Sequence, residues 1–100
     1  MRKFNLVGID GNAFSVMGYV CNCMEAVYNR FMTESRNYES ESEKFANIAN
    51  NYNKAARDAY TKRAMSSDYN NLLCESVEMV DKCDQEMSVW ADYGDDEDED

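Results

Sequence analysis

Large apolar side chains in this chain recur at three- and four-residue steps, and no proline interrupts them. Across residues 13–32 the series Phe14, Met17, Cys21, Met24, Tyr28 and Phe31 keeps that step, with Val16, Val20 and Val27 widening the stripe. This is the period of an α-helix with one face on a core, not the alternation of a half-buried strand. Phe45, Ile48, Ala49, Tyr52, Ala56, Ala59 and Tyr60 form a second stripe over residues 41–65. Tyr69, Leu72, Leu73, Ser76, Val77, Val80 and Cys83 or Asp84 form a third over residues 69–85. The spacing predicts an all-α fold, a small bundle of three or four helices.

Punctuation between the stripes is polar. Asp10-Gly11 is a turn dipeptide, and Asn12 suits the N-cap of the first helix. Residues 33–42 lack a large aliphatic side chain and read as a loop, with Ser40 and Glu43 at capping-box spacing. Asparagines at 47, 50, 51 and 53 lower helix propensity, so a kink or a full break is expected near residues 51–53. Ser67 or Asp68 caps the third helix. Residues 87–93 read as a separate short segment that packs Trp90 onto the core or pairs with the N-terminal arm. That arm, residues 3–9, is either a short strand or extended. Gly18 costs about 1 kcal/mol relative to alanine in a helix interior and invites another backbone to come close.

The net charge of −10 is unevenly placed. Residues 1–91 hold 10 basic and 13 acidic side chains, so Asp92 and the all-acidic run 95–100 carry the remaining seven negative charges. Six adjacent like charges repel and bury nothing. Residues 94–100 are therefore expected to form a disordered acidic tail behind a single helical domain, residues 1–93. Such a tail either aids solubility or engages a basic protein groove through Asp95, Asp96, Glu97 and Asp98. Glu75, Glu78 and Asp81 extend the acidic surface along the third helix.

Catalysis finds little footing. Histidine is absent, no Ser or Cys stands in a nucleophile-elbow context, and no phosphate-loop motif occurs. The expectation is a protein that is not an enzyme and uses no cofactor. The four cysteines, 21, 23, 74 and 83, read as reduced structural thiols with no metal site. No apolar run approaches a secretory core or a membrane span. An intracellular location without membrane attachment is expected.

Basic residues cluster at Lys54, Arg57, Lys62 and Arg63, with Asp58 as the single acid among them. Together with Tyr52, Tyr60 and Tyr69 for stacking and the turn at Asp10 and Asn12, they make a candidate site for a nucleotide second messenger. The plainer reading is a solvated helix face. Direct nucleic-acid binding is not expected from so acidic a chain.

Two stretches, residues 5–20 (NLVGIDGNAFSVMGYV) and 66–74 (SSDYNNLLC), resemble a group of small proteins of tailed bacteriophages. The group carries no assigned activity, so the resemblance transfers no site residue. It implies a setting, the cytoplasm of an infected bacterium, and a role in blocking a host protein, plausibly a defence factor. The leading expectation is a phage-encoded, non-catalytic anti-defence inhibitor acting by protein–protein contact. The alternatives are a sponge for a nucleotide immune signal and a structural subunit that forms homo-oligomers.

Overall fold

The computed structural model describes Phe4, Leu6, Gly8, Ile9 and residues 11–92, the last two by their backbone alone. Among these residues there are four α-helices: α1 (Ala13–Asn37), α2 (Ser42–Asn50), α3 (Lys54–Ala64) and α4 (Tyr69–Asp92), with a 3-10 turn at Glu39–Glu41. The fold is all-α, and no described residue lies in a strand. The acidic run 95–100 lies outside the described residues.

α1 begins where the sequence places it. The Asn12 side chain accepts from the amides of Phe14 and Ser15 at 2.8 and 3.3 Å, satisfying two otherwise orphan donors. It ends later than predicted, because polar side chains hold one more turn together. Arg30 pairs with Glu34 at 3.0 Å, Asn37 donates to the same carboxylate at 3.1 Å, and buried Ser35 donates to the Met32 carbonyl at 2.7 Å. The expected loop at residues 33–42 shrinks to Tyr38 and the 3-10 turn. The Ser40–Glu43 capping box does not form: the N-cap position of α2 is Glu41, with no side-chain capping bond.

The expected second helix is fully broken. Asn51 and Tyr52 turn out of α2, and the Asn53 side chain caps α3 by accepting from the Ala56 amide at 2.9 Å. Arg57 donates to the freed carbonyl of Tyr52 at 2.9 Å, so the break leaves that acceptor satisfied. α4 starts at a cap of its own, Asp68 accepting from the Asn71 amide at 3.0 Å. It then runs on through the segment expected to be separate. Met87 and Trp90 are buried on the same face as Leu72, Ser76, Val80 and Cys83, so the core itself carries the helix past residue 85.

Contacts between the helices fix the topology. Phe31 near the end of α1 meets Trp90 near the end of α4, with ring centroids 5.1 Å apart. Met17 and Leu72, near the two helix starts, line one groove. α1 and α4 are therefore parallel. The broken rod α2–α3 returns between their ends: Phe45 packs on Trp90 at 5.3 Å, and Tyr60 shares a 2.6 Å hydrogen bond with Ser76. The result is an up-down-up bundle whose middle rod is snapped. The N-terminal arm packs Phe4, Leu6 and Ile9 against the core, and the Phe4 amide donates to Asp84 at 3.1 Å. Gly8 has φ of 88°, a left-handed turn that favours glycine.

The core of α1 centres on Val16, Val20, Met24, Val27 and Phe31. The valines expected only to widen the stripe are its middle. Phe14, expected inside, is 74% exposed, and Val77 on α4 is 47% exposed. Nor, among the described residues, does another group approach Gly18: a Cβ there would meet nothing within 4 Å.

Candidate protein-docking face

The basic cluster at residues 54–63 does not survive folding as a patch. Successive residues on α3 are rotated by about 100°, which sends Lys54, Arg57, Lys62 and Arg63 in different directions. Lys54 pairs with Asp58 at 3.1 Å, Arg57 serves the Tyr52 carbonyl, and Arg63 crosses to Glu75 on α4 at 3.1 Å. Lys62 is exposed beside Ala55, Asp58 and Ala59.

The stacking half of the expected nucleotide site is also absent from the surface. Tyr52 and Tyr60 are 1% and 0% exposed. The Tyr52 hydroxyl donates to Glu86 at 3.1 Å, and that of Tyr60 is bound to Ser76. Both rings belong to the core, so neither can receive a base. Tyr69 stays half exposed but its hydroxyl donates to the Gly11 carbonyl. Asn12 is occupied as a cap, and Asp10 lies outside the described residues. The structure thus does not bring the eight described residues of that site together.

The acids of α4 fare little better as one surface. Steps of three residues drift by about 60° around a helix. Glu75 accordingly faces Arg63 and is partly buried, Glu78 points to solvent, and Asp81 lies half buried further round. Asp95, Asp96, Glu97 and Asp98 lie outside the described residues.

What the structure does assemble is apolar. Phe14, Met65 and Tyr69, which are 74%, 58% and 43% exposed, converge on a groove that also includes Met17, Ala64 and Leu72. Its volume is about 280 Å³. It exists because α3 leans on α4, through the Tyr60–Ser76 bond and the Arg63–Glu75 pair, and ends at Ala64. The seam between α3 and the start of α1 is left open. Asp68 is the charged residue on this lining, and its carboxylate is engaged by the Asn71 amide. The sequence held one signal for the groove. Centring the α1 stripe on Val16 and Val20, rather than on Phe14 and Met17, turns Phe14 to solvent.

No known protein family, no curated protein and no solved structure matches the chain. Among the described residues no three Cys, Asp or Glu side chains gather where they could hold a metal ion. None of the described helices is long and apolar enough to cross a membrane.

All four cysteines are free, with Cys23 and Cys83 buried and Cys74 exposed. Burial pushes the Cys83 thiol up to about 12 and raises that of Cys23 as well, against a hydrogen bond from Tyr19 that lowers it. A thiol held protonated is a poor nucleophile. Alkylation of the native protein near neutral pH, read by mass spectrometry, should therefore label Cys74 first. Cys23 and Cys83 should react only as fast as the bundle opens. Equal labelling of Cys74 and Cys83 would contradict this packing.

Proposed function

We propose that this chain is a non-catalytic accessory protein that binds and inhibits a host protein, with the groove at Phe14, Met65 and Tyr69 as its central contact. The observation that carries the reading is the gathering of three large exposed apolar side chains in one concave patch. Single apolar residues scattered on a surface are ordinary, and three that share one groove favour an interaction site over chance exposure. The resemblance of residues 5–20 and 66–74 to tailed-phage proteins supplies the setting: an anti-defence inhibitor in the cytoplasm of an infected bacterium. Glu78 and the acidic residues 95–98 contribute in this reading by their charge, which steers association more than it holds the complex.

The test is comparative capture from infected cells. Tagged wild type is set beside the Phe14→Asp, Met65→Asp double variant and beside a chain lacking residues 95–100. An aspartate in the first turn of α1 suits the helix dipole, and Met65 is exposed, so the double variant is expected to keep its circular dichroism and melting temperature. Recovery of the captured host protein should fall at least about tenfold, as for loss of an interface hot spot. Removing residues 95–100 should slow association and weaken its salt dependence while leaving capture measurable. Undiminished capture by the folded double variant would overturn the assignment.

A further inference from the structure

We infer that the cavity between α2 and the last turns of α1 and α4 binds a small primary amine carrying an apolar chain, with the Glu86 carboxylate as the seat of its ammonium. This cavity is lined from Phe31 and Val89, at the opposite end of the bundle from the groove at Phe14 and Leu72. Its volume is about 310 Å³, at the lower end of the roughly 300–1,000 Å³ of small-molecule pockets. The site goes beyond the docking reading above and does not depend on it.

The order of the helices builds it. α2 runs antiparallel to α4: Phe45 meets Trp90 at 5.3 Å, and beyond the break Tyr52 reaches Glu86. Between those two contacts stand Ile48 of α2 and Val89 of α4, both partly buried and both on the cavity lining. Phe31 and Phe45, edge to face at 5.6 Å, line it as well. The walls are therefore apolar on three helices.

Charge selects the occupant. Glu86 lies on the same lining and is partly buried. Tyr52, whose side chain is withdrawn into the core, donates its hydroxyl to Oε2 at 3.1 Å and so holds the carboxylate in place. That bond satisfies one oxygen without bringing a counter-charge. The cation on the lining, Lys44, stands 3.8 Å from Glu41 with its side chain 67% exposed, so it belongs to the rim. A carboxylate partly withdrawn from water attracts a cation more strongly than one on an open surface. An ammonium meets it with charge-assisted hydrogen bonds. The rest of the ligand must suit Ile48, Val89 and the two rings. Each methylene that leaves water there should add about three- to fourfold in affinity. A fatty acid of the same shape would bring a like charge to Glu86.

The probe is hexylamine, titrated into the full isotope-labelled chain near neutral pH and followed by amide shifts. Butylamine, hexanol, hexanoate and methylammonium are the comparisons. Hexylamine should move the amides of Phe45, Ile48, Glu86 and Val89 and leave those of Phe14 and Met65 in place. Butylamine, two methylenes shorter, should bind about tenfold more weakly. Hexanol should also lose at least about tenfold, as for a charge-assisted hydrogen bond. Hexanoate and methylammonium should leave these amides unmoved. Glu86→Gln keeps an acceptor for the Tyr52 hydroxyl and should retain the native circular dichroism, yet weaken hexylamine at least about tenfold.

Equal binding of hexanol and hexylamine to the wild type would overturn the ammonium seat, whatever the variant does. So would undiminished hexylamine binding in folded Glu86→Gln. Equal shifts with methylammonium would reduce the site to general attraction of cations by an acidic chain. Host-protein capture separates the two sources of an ammonium. If hexylamine leaves the wild type unmoved and Glu86→Gln loses capture, the carboxylate receives a partner's lysine and the small amine is removed. Capture that depends on Phe14 and Met65 alone keeps the docking reading, even where the amine site fails.

Discussion

Replacing Trp90 with alanine is expected to cost about 3–5 kcal/mol, the usual price of deleting a large buried aromatic side chain. Trp90 is 2% exposed and stands where three rods meet. Its ring centroid lies 5.1 Å from Phe31 of α1 and 5.3 Å from Phe45 of α2, and the Arg30 guanidinium sits 4.5 Å over its face. Deletion therefore removes the aromatic contact between α2 and α4 and exposes one face of both phenylalanines to a cavity. Domains of this size have about 5–15 kcal/mol in total, so the variant should be close to unfolding. The drop in melting temperature should be on the order of 15–30 °C, read by far-ultraviolet circular dichroism. Met65→Ala, at an exposed site, is the control and should stay within about 0.5 kcal/mol of wild type. A loss below about 1 kcal/mol in Trp90→Ala would mean that the last turns of α4 are not docked, against the burial of Met87 and Trp90.

The same residue shows what a sequence can and cannot convey here. Helical period and absent proline sufficed for an all-α bundle, since both are local properties of the chain. Asn12 was legible as a cap for the same reason, and so was the pair Ser67 and Asp68, of which the structure uses Asp68. The length of α4 was not, because residues 84–88 are mostly polar and only the tertiary contact of Trp90 on Phe31 and Phe45 carries the helix through them. The break at residues 51–53 was legible as weakness. Its completeness depends on Tyr52 turning into the core toward Glu86, which no local propensity encodes.

The candidate binding surface was the least legible part. Tyr52 and Tyr60 looked like stacking residues because tyrosine suits both a wet surface and a core that offers its hydroxyl a partner. The partners, Glu86 and Ser76, lie 34 and 16 residues away. The basic cluster looked like a patch because four cations fall within ten residues, yet the helix distributes them around its circumference. Phe14 looked buried because a stripe of period 3.6 can be centred on either of two adjacent rows, and only packing against α4 selects the valines. Tyr52 and Tyr60 were thus read as surface groups although the core takes them up. The groove sets Phe14 beside Met65, 51 positions away, an arrangement that exists only after α3 leans on α4.

Alkaline unfolding is the second large effect expected. Cys23, Tyr52, Tyr60 and Cys83 all sit in the core, and burial raises the pKa of each. For Tyr52 the Glu86 carboxylate raises it further, by charge and as hydrogen-bond partner, while for Tyr60 the bond to Ser76 acts in the opposite sense. Each group is neutral when protonated. In the unfolded chain the thiols ionise around their ordinary 9.0 and the phenols around 10.0, whereas in the native bundle Cys83 holds its proton to about 12. Above pH 9 the unfolded state therefore binds fewer protons than the native one, and stability falls as pH rises. It is fully present below that point.

Cys83 alone should remove about 1.4 kcal/mol per pH unit between its unfolded and native values. Cys23 adds to this from the same pH, and the two tyrosines join above 10.0. Against a total of about 5–15 kcal/mol, this cumulative slope should unfold the bundle before the native thiol of Cys83 titrates. Tyrosinate absorbance and circular dichroism should then change together, since ionisation of Tyr52 and Tyr60 requires opening. Cys83→Ala tests the accounting separately from its own cavity cost: whatever its stability at neutral pH, its decline above pH 9 should be shallower by about 1.4 kcal/mol per unit. A slope identical to wild type would show that Cys83 ionises in place, and the packing of α4 against α1 would then have to be looser than the burial of Val20, Met24 and Val80 implies.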